Sequence, residues 1–401
     1  MLISLSLIIL IGLVSGYFLE KIKVPKIIGM LLSGIVLGPY VLDCFDPQIL
    51  SISADLRKIA LIIILLKAGF SLDLNDLKKV GRPAVMMSFV PATFEILAYI
   101  IFAPALLNIS RIDAAVMGAV LSAVSPAVVV PRMVNYIETK WGTEKSIPQM
   151  IMAGASCDDI IVIVLFTTFL SIAQDGSVNL RGFLNIPISI VLGILLGSVV
   201  GYLLYIIFEK CYSKNQHLRN SVKVIIILGI SLLMVAIEDQ LKNIIAVSGL
   251  LAVVSMACVL KIKSVPFVSK RLSEKFGKIW ILAEIILFVL VGAAVDIRYT
   301  LEAGVSAILL IFIAIVIRSI GVLICTIKTN LLWKEKLFCV LAYLPKATVQ
   351  AAIGSVPLAA GLPSGNLILS VAVMSILLTA PLGAAAMDFS YKTLLEKEKD
   401  I

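Results

Sequence analysis

The run Gly69-Phe70-Ser71-Leu72-Asp73-Leu74 returns 223 residues later as Gly292-Ala293-Ala294-Val295-Asp296-Ile297, and each copy has a second glycine twelve residues after its first, Gly81 and Gly304. Two unrelated apolar segments match in apolar residues alone. A glycine and an aspartate recurring at one spacing mark an internal repeat. Two further pairs extend it at offsets of 219 to 220: Ile28-Gly29-Met30-Leu31-Leu32 with Ser248-Gly249-Leu250-Leu251-Ala252, and Val120-Leu121 ahead of Pro126 with Val340-Leu341 ahead of Pro345. The copies cover about residues 25–173 and 245–389.

The sequence around these markers is apolar. Of 401 residues, 60% are hydrophobic and 15% charged, against about a quarter charged in soluble domains, and mean hydropathy is +1.09. A spanning helix takes roughly 20 apolar residues. Thirteen such segments occur, near 2–17, 25–42, 54–73, 81–107, 112–134, 146–173, 184–208, 220–237, 245–260, 278–296, 301–326, 336–360 and 365–389. The first lacks the basic leader and small-residue cleavage site of a signal peptide and reads as a retained helix.

The chain therefore reads as an all-α polytopic membrane protein of about thirteen transmembrane helices, a single transporter domain over 1–401. Spans two to six correspond to spans nine to thirteen. Equivalent spans lie seven apart, an odd number, so the five-helix repeats are inverted in the membrane. That is the arrangement of secondary transporters, whose sites sit near the midplane where helices are broken. Pro126, within Ser125-Pro126-Ala127, and Pro345, within Leu344-Pro345-Lys346, each remove a backbone hydrogen bond mid-span and predict such a break.

A net charge of +9 would suit nucleic acid, but the basic residues sort by side of the membrane. Connections after odd-numbered spans, with the C-terminal segment, hold 25 of the 34 Lys and Arg; the other connections hold six. The positive-inside rule then puts the N-terminus outside and the C-terminus in the cytoplasm, and no nucleic-acid partner is expected. The basic connection Lys261 to Lys278 suits anionic membrane lipid. The six cysteines have no paired spacing and read as structural thiols. About a dozen residues follow the last span, so any pH control is expected in the membrane core.

A charge at the centre of a spanning helix costs about 2.5–3.5 kcal/mol and needs a partner, water or a function. Glu95, Asp158, Asp159, Arg318 and Lys346 all lie deep in their spans. The repeat offset carries Glu95 onto Arg318, so these two should share a depth and form an ion pair joining the repeats. Neighbouring residues on a helix project about 100° apart, so one of Asp158 and Asp159 can line an aqueous cavity while the other meets a base. Lys346 is the expected base, because a lysine gives up its proton more readily than an arginine. Lys67 and Glu284 lie toward span ends and are read as solvated.

The runs Ser125-Pro126-Ala127-Val128-Val129-Val130-Pro131, Ala155-Ser156-Cys157-Asp158-Asp159-Ile160 and Leu344-Pro345-Lys346-Ala347-Thr348-Val349-Gln350-Ala351 together resemble the cation:proton antiporter superfamily. The likeness is nearest to its sodium/hydrogen exchanger B branch and spans nearly the whole chain. It implies a homodimer in the plasma (inner) membrane. Core helices at about 81–173 and 301–389 would hold two crossed broken helices, with the remaining helices forming a dimerisation domain. It implies Asp159 as the main carboxylate for proton and cation and Asp158 as its partner, both ligands to Na+ or Li+. Glu95, Arg318 and Lys346 match supporting polar core positions. Bacterial electrogenic members place a lysine where this chain has Arg318, which leaves the stoichiometry open. No cofactor is implied beyond the transported ions.

A carboxylate holds either a cation or a proton, so competition gives exchange. A sodium-coupled organic anion symporter and a K+/proton exchanger are the alternatives. An intramembrane aspartyl protease needs carboxylates on facing helices around one water, and adjacent aspartates on one helix fit that poorly. No Gly-x-x-x-x-Gly-Lys motif for ATP binding occurs. The chain is not read as an enzyme.

Overall fold

The computed structural model describes residues 1–22, 24–71, 81–175, 180–213, 218–241 and 247–398. Among these the elements are eighteen helices, and the one extended pairing is an isolated antiparallel bridge between Trp141 and Lys397. In order they are α1 Leu2–Lys21, α2 Lys26–Leu37, α3 Pro47–Ser51, α4 Ser53–Ser71, α5 Arg82–Met87 and α6 Val90–Leu107. Then come α7 Arg111–Leu121, α8 Pro126–Glu138, α9 Ile147–Asp175, α10 Leu180–Ser213, α11 Asn220–Leu241 and α12 Gly249–Lys263. The last six are α13 Pro266–Ala293, α14 Ile297–Cys325, α15 Trp333–Ala342, α16 Thr348–Ile353, α17 Val356–Ala359 and α18 Gly365–Leu394.

The protein is an all-helical membrane protein. Helix occupies each of the thirteen apolar segments, and among the described residues nine helices are long and apolar enough to cross a bilayer, with Lys26–Leu37 and Thr348–Ala359 shorter but apolar. Large apolar side chains stand open on several of them, Leu2 at 75%, Ile225 at 69% and Val305 at 82% exposure. Lipid tails cover such a surface without cost; water does not. One boundary is corrected: most of the basic connection from Lys261 to Lys278 is helix, because Pro266 at the first helical position starts α13 twelve residues ahead of the apolar run.

The chain forms two compact units. The first comprises Met1–Ala54, Asp73–Gln174 and Leu287–Ile401; the second comprises Asp55–Leu72 and Asp175–Ile286. In the first, α6 packs along α7 and α14, and α18 packs against α14 and α15. In the second, α12 lies along α10 and also meets α11. Glu284, expected at a solvated end, is buried in the second unit at 2% exposure, because the preceding charged turns of α13 are helix and carry it into the apolar stretch.

The glycines that match at the 223-residue offset sit in similar local settings. A Cβ on Gly69 would lie 2.6 Å from the Ala257 side chain and 3.0 Å from the Val254 carbonyl, so α4 and α12 cross closely there. A Cβ on Gly292 would lie 2.2 Å from the Leu31 carbonyl and 3.1 Å from Gly34, where α13 crosses α2. Positions 34 and 254 are 220 residues apart, the offset that separates Gly29 from Gly249. Gly81 and Gly304 both take positive φ, 69° and 33°, with ψ of −142° and −122°, a backbone that L side chains avoid. Asp296 caps α14 through the Arg298 N–H at 2.9 Å. Its repeat partner Asp73 lies outside the described residues.

Candidate ion-binding site

Two helices of the first unit are interrupted, and the interruptions touch. The α7–α8 path leaves helix after Leu121 and resumes at Pro126, whose fixed φ suits a first helical position. Its predecessor Ser125 is pushed to φ −88°, ψ 108°. The α15–α16 path breaks after Ala342 and resumes at Thr348, so Pro345 sits inside the gap, its ring against Gly383, where a Cβ would come within 2.5 Å. The Ser125 N–H donates to the Pro345 carbonyl at 2.8 Å, joining the two breaks directly.

Each break frees backbone groups that lipid cannot satisfy. Buried side chains take them up. The Val124 N–H donates to Asp158 Oδ2 at 2.8 Å. The Leu121 carbonyl accepts from Lys346 Nζ, and Gln350 Nε2 donates to the Ala123 carbonyl at 2.8 Å. Arg318 donates through Nη1 to the Ser122 carbonyl and through Nε to the Tyr343 carbonyl at 2.9 Å. The Lys346 N–H donates to Thr379 Oγ1 at 3.0 Å. Cations thus face helix C-terminal carbonyls and a carboxylate faces a helix start, as the helix dipole favours.

The same side chains form a charge cluster. Arg318 Nη1 lies 2.7 Å from Glu95 Oε2, the ion pair that the repeat offset predicts. Lys346 Nζ lies 2.6 Å from Glu95 Oε1. Arg318 Nη2 reaches Asp158 Oδ2 at 3.4 Å. This corrects the expectation that Lys346 would serve an aspartate: the forked guanidinium has enough donors for Glu95, two carbonyls and Asp158 together, while the lysine ammonium is spent on Glu95 and Leu121.

Asp159 is different. It is 5% exposed, and among the described residues it has no ion-pair partner and its Oδ1 meets no donor. Asp158 Oδ1, Ser125 Oγ, Thr348 Oγ1 and Gln350 Oε1 are also buried without a hydrogen-bond partner in that set. These are oxygens, the ligand type that hard cations take. Sequence reasoning gave Gln350, Thr379 and Tyr343 no role. Gln350 lies in the same short run as Pro345 and Lys346, but its reach to the Ala123 carbonyl depends on the second break, which spacing alone does not give.

The chain matches the family described as "Sodium/hydrogen exchanger, transmembrane" over residues 6–387. It is 33% identical to human sodium/hydrogen exchanger 9B2 over 406 residues, covering 96% of this chain and 74% of that protein. It is 30% identical to human sodium/hydrogen exchanger 9B1 over 421 residues, covering 100% of this chain and 79% of the relative. The solved structure of the sodium proton antiporter MjNhaP1 from Methanocaldococcus jannaschii at pH 8 superposes with a TM-score of 0.82 at 22% identity, covering 97% of both chains, and so shares the fold. The chain belongs to the sodium/hydrogen exchanger family of the cation:proton antiporter superfamily, integral membrane transporters rather than enzymes.

Proposed function

We propose that the protein exchanges a monovalent cation, Na+ or Li+, for protons by alternating access, the two competing for Asp159 with Asp158 as its neighbour. The charge count of the buried cluster carries this reading. Two cations, Arg318 and Lys346, stand against three carboxylates, Glu95, Asp158 and Asp159. Glu95 and Asp158 hold those cations, so Asp159 is the carboxylate left to be neutralised from outside. A proton or a cation does this, and not both together. A bare buried ion costs several kcal/mol, so the site moves through the membrane only when loaded, and that couples the fluxes.

Because Lys346 is engaged by Glu95 and the Leu121 carbonyl, it stays charged through the cycle in this reading, and one cation exchanges for one proton. The relatives' names make Na+ the first ion to test. Thirteen spans in inverted five-helix repeats, a homodimer in the plasma (inner) membrane and a cytoplasmic C-terminus complete the proposal.

The test is reconstitution in liposomes with a trapped pH dye, adding Na+, Li+ or K+ to wild type and to Asp159→Asn. Cation-driven proton movement in wild type that vanishes in the variant is the expected result. Movement with K+ alone would reassign the ion. An undiminished signal in Asp159→Asn would remove Asp159 from the mechanism.

A further inference from the structure

We propose that Leu395–Glu398, the segment following the last helix, is a clasp that fastens the start of the Asp158–Asp159 helix to the start of the helix broken at Pro345, and so positions the ion site. The segment does not trail away. The Gly142 N–H donates to the Glu396 carbonyl at 2.8 Å and the Glu398 N–H to the Lys140 carbonyl at 2.9 Å, making the antiparallel bridge at Trp141 and Lys397. Leu395 is 4% exposed and lies against Gly142, where a Cβ would come within 3.4 Å of its methyl groups. Thr143 Oγ1 donates to Glu398 Oε2 at 2.5 Å.

The connection that it grips is strained. Lys140, Gly142 and Ser146 have φ of 60°, 69° and 53°. Non-glycine residues persist there only where their surroundings hold them. One residue beyond this strained stretch, α9 begins at Ile147, and Asp158 follows three turns later.

Lys145 carries the grip to the other broken helix. Its Nζ lies 2.9 Å from Glu335 Oε1 and 3.5 Å from Glu396 Oε2. Glu335 is buried, and its Oε2 also accepts the Leu332 N–H at 2.7 Å, capping α15. Removal of the segment would take one of the two carboxylates from Lys145. Tyr391, at the end of α18, stacks on Tyr136 at 4.7 Å and meets Trp141 edge-on at 5.5 Å, joining the end of α8 to the same knot. All these residues belong to the first compact unit. The clasp therefore stays closed when that unit moves as a body.

The flux arm of the test rests on the antiport reading; the amide arm does not. The pair Trp141 and Lys397 is the non-hydrogen-bonded one of the bridge, with Cα atoms typically about 4.5 Å apart, inside the range of about 4.4–6.8 Å that a disulfide spans. In a background with the six native cysteines replaced, Trp141→Cys with Lys397→Cys should cross-link on oxidation and exchange ions as fast oxidised as reduced. Removal of residues 395–401 should raise amide hydrogen exchange over 147–155 and 333–342 and lower cation-driven proton flux, on the order of tenfold for a displaced site. Leu395→Ala, which keeps the backbone bridge, should give the same pattern more weakly if the truncated protein fails to fold. A cross-link that stops transport would make the segment a gate that opens each cycle and overturn the proposal. Unchanged amide exchange after truncation would overturn it as well. A full-length protein without cation-driven flux would sink the antiport reading, and the amide arm alone would then decide the clasp.

Discussion

Glu95 is where the buried charges of the site converge, and it never touches the aspartate pair. Arg318 and Lys346 both sit on it, at 2.7 Å and 2.6 Å. Glu95→Gln leaves two buried cations with only Asp158 between them, and removing one partner from a buried pair typically costs about 3–5 kcal/mol. The variant should melt markedly lower in detergent than wild type, with transport lost along with stability. Asp159→Asn should do the opposite: it removes the carboxylate without a counterion, so its melting point should match or exceed wild type while exchange disappears. Equal melting of Glu95→Gln and wild type would deny Glu95 its central place. The Glu95–Arg318 pair was legible in the sequence because one repeat offset links the two positions. The division of labour between Arg318 and Lys346 was not. It depends on how far a guanidinium fork reaches across two helix breaks, which no spacing along the chain encodes.

Among the elements, the prolines announced the two breaks, since they act through backbone geometry that is local to the residue; the glycines were read only as markers of the repeat, and the close crossings they permit depend on which helices meet. Where each helix resumes was not readable: α8 restarts on its proline, but α16 restarts three residues after Pro345, at a place set by the groups available to pair with the freed backbone. The crossing of α13 over α2 gives a direct check. A Cβ on Gly292 meets backbone, the Leu31 carbonyl at 2.2 Å, and backbone cannot swing aside. Gly292→Ala should therefore destabilise by about 1–3 kcal/mol as overpacking, read as a lower melting temperature. Gly277→Ala is the control, because nothing lies within 4 Å of a Cβ there.

The link between α9 and α15 through Lys145 also carries a pH signature. Its hydrogen bonds to Glu335 hold the Lys145 amine above its ordinary 10.5, with desolvation opposing and Glu396 adding to the rise. A raised amine contributes stability that is complete below its unfolded value and is lost as pH climbs through the folded one. The link should hold across neutral pH and loosen only in strong alkali, above about pH 10.5. Amide exchange over 333–342 at rising pH, corrected for intrinsic rates, should stay flat and then climb; a climb near pH 7 would mean that Lys145 is not the group responsible.

At the scale of the whole molecule the question is how much charge crosses the membrane per turnover. If Arg318, Lys346, Glu95 and Asp158 keep their charges, only Asp159 changes partner, and the moving unit carries the same net charge whether it returns with a proton or leaves with a cation. Exchange is then one for one and electrically silent. If Lys346 gave up a proton each time a cation bound, two protons would cross per cation. A net charge moving across the field is worth about 2.3 kcal/mol per 100 mV, about fifty-fold in the equilibrium ion ratio. The geometry favours the silent cycle, because Lys346 faces Glu95 Oε1 at 2.6 Å and Oε2 at 2.8 Å, and a neutral amine there would leave Glu95 to Arg318 alone, which also serves Asp158. In liposomes clamped at 0 and −100 mV, the sodium-driven proton flux should therefore be the same within error. A flux that follows the clamp would overturn the silent cycle and show that a second group changes charge in each turnover. Lys346→Arg, which cannot lose its proton, would then abolish that voltage dependence if Lys346 is its source.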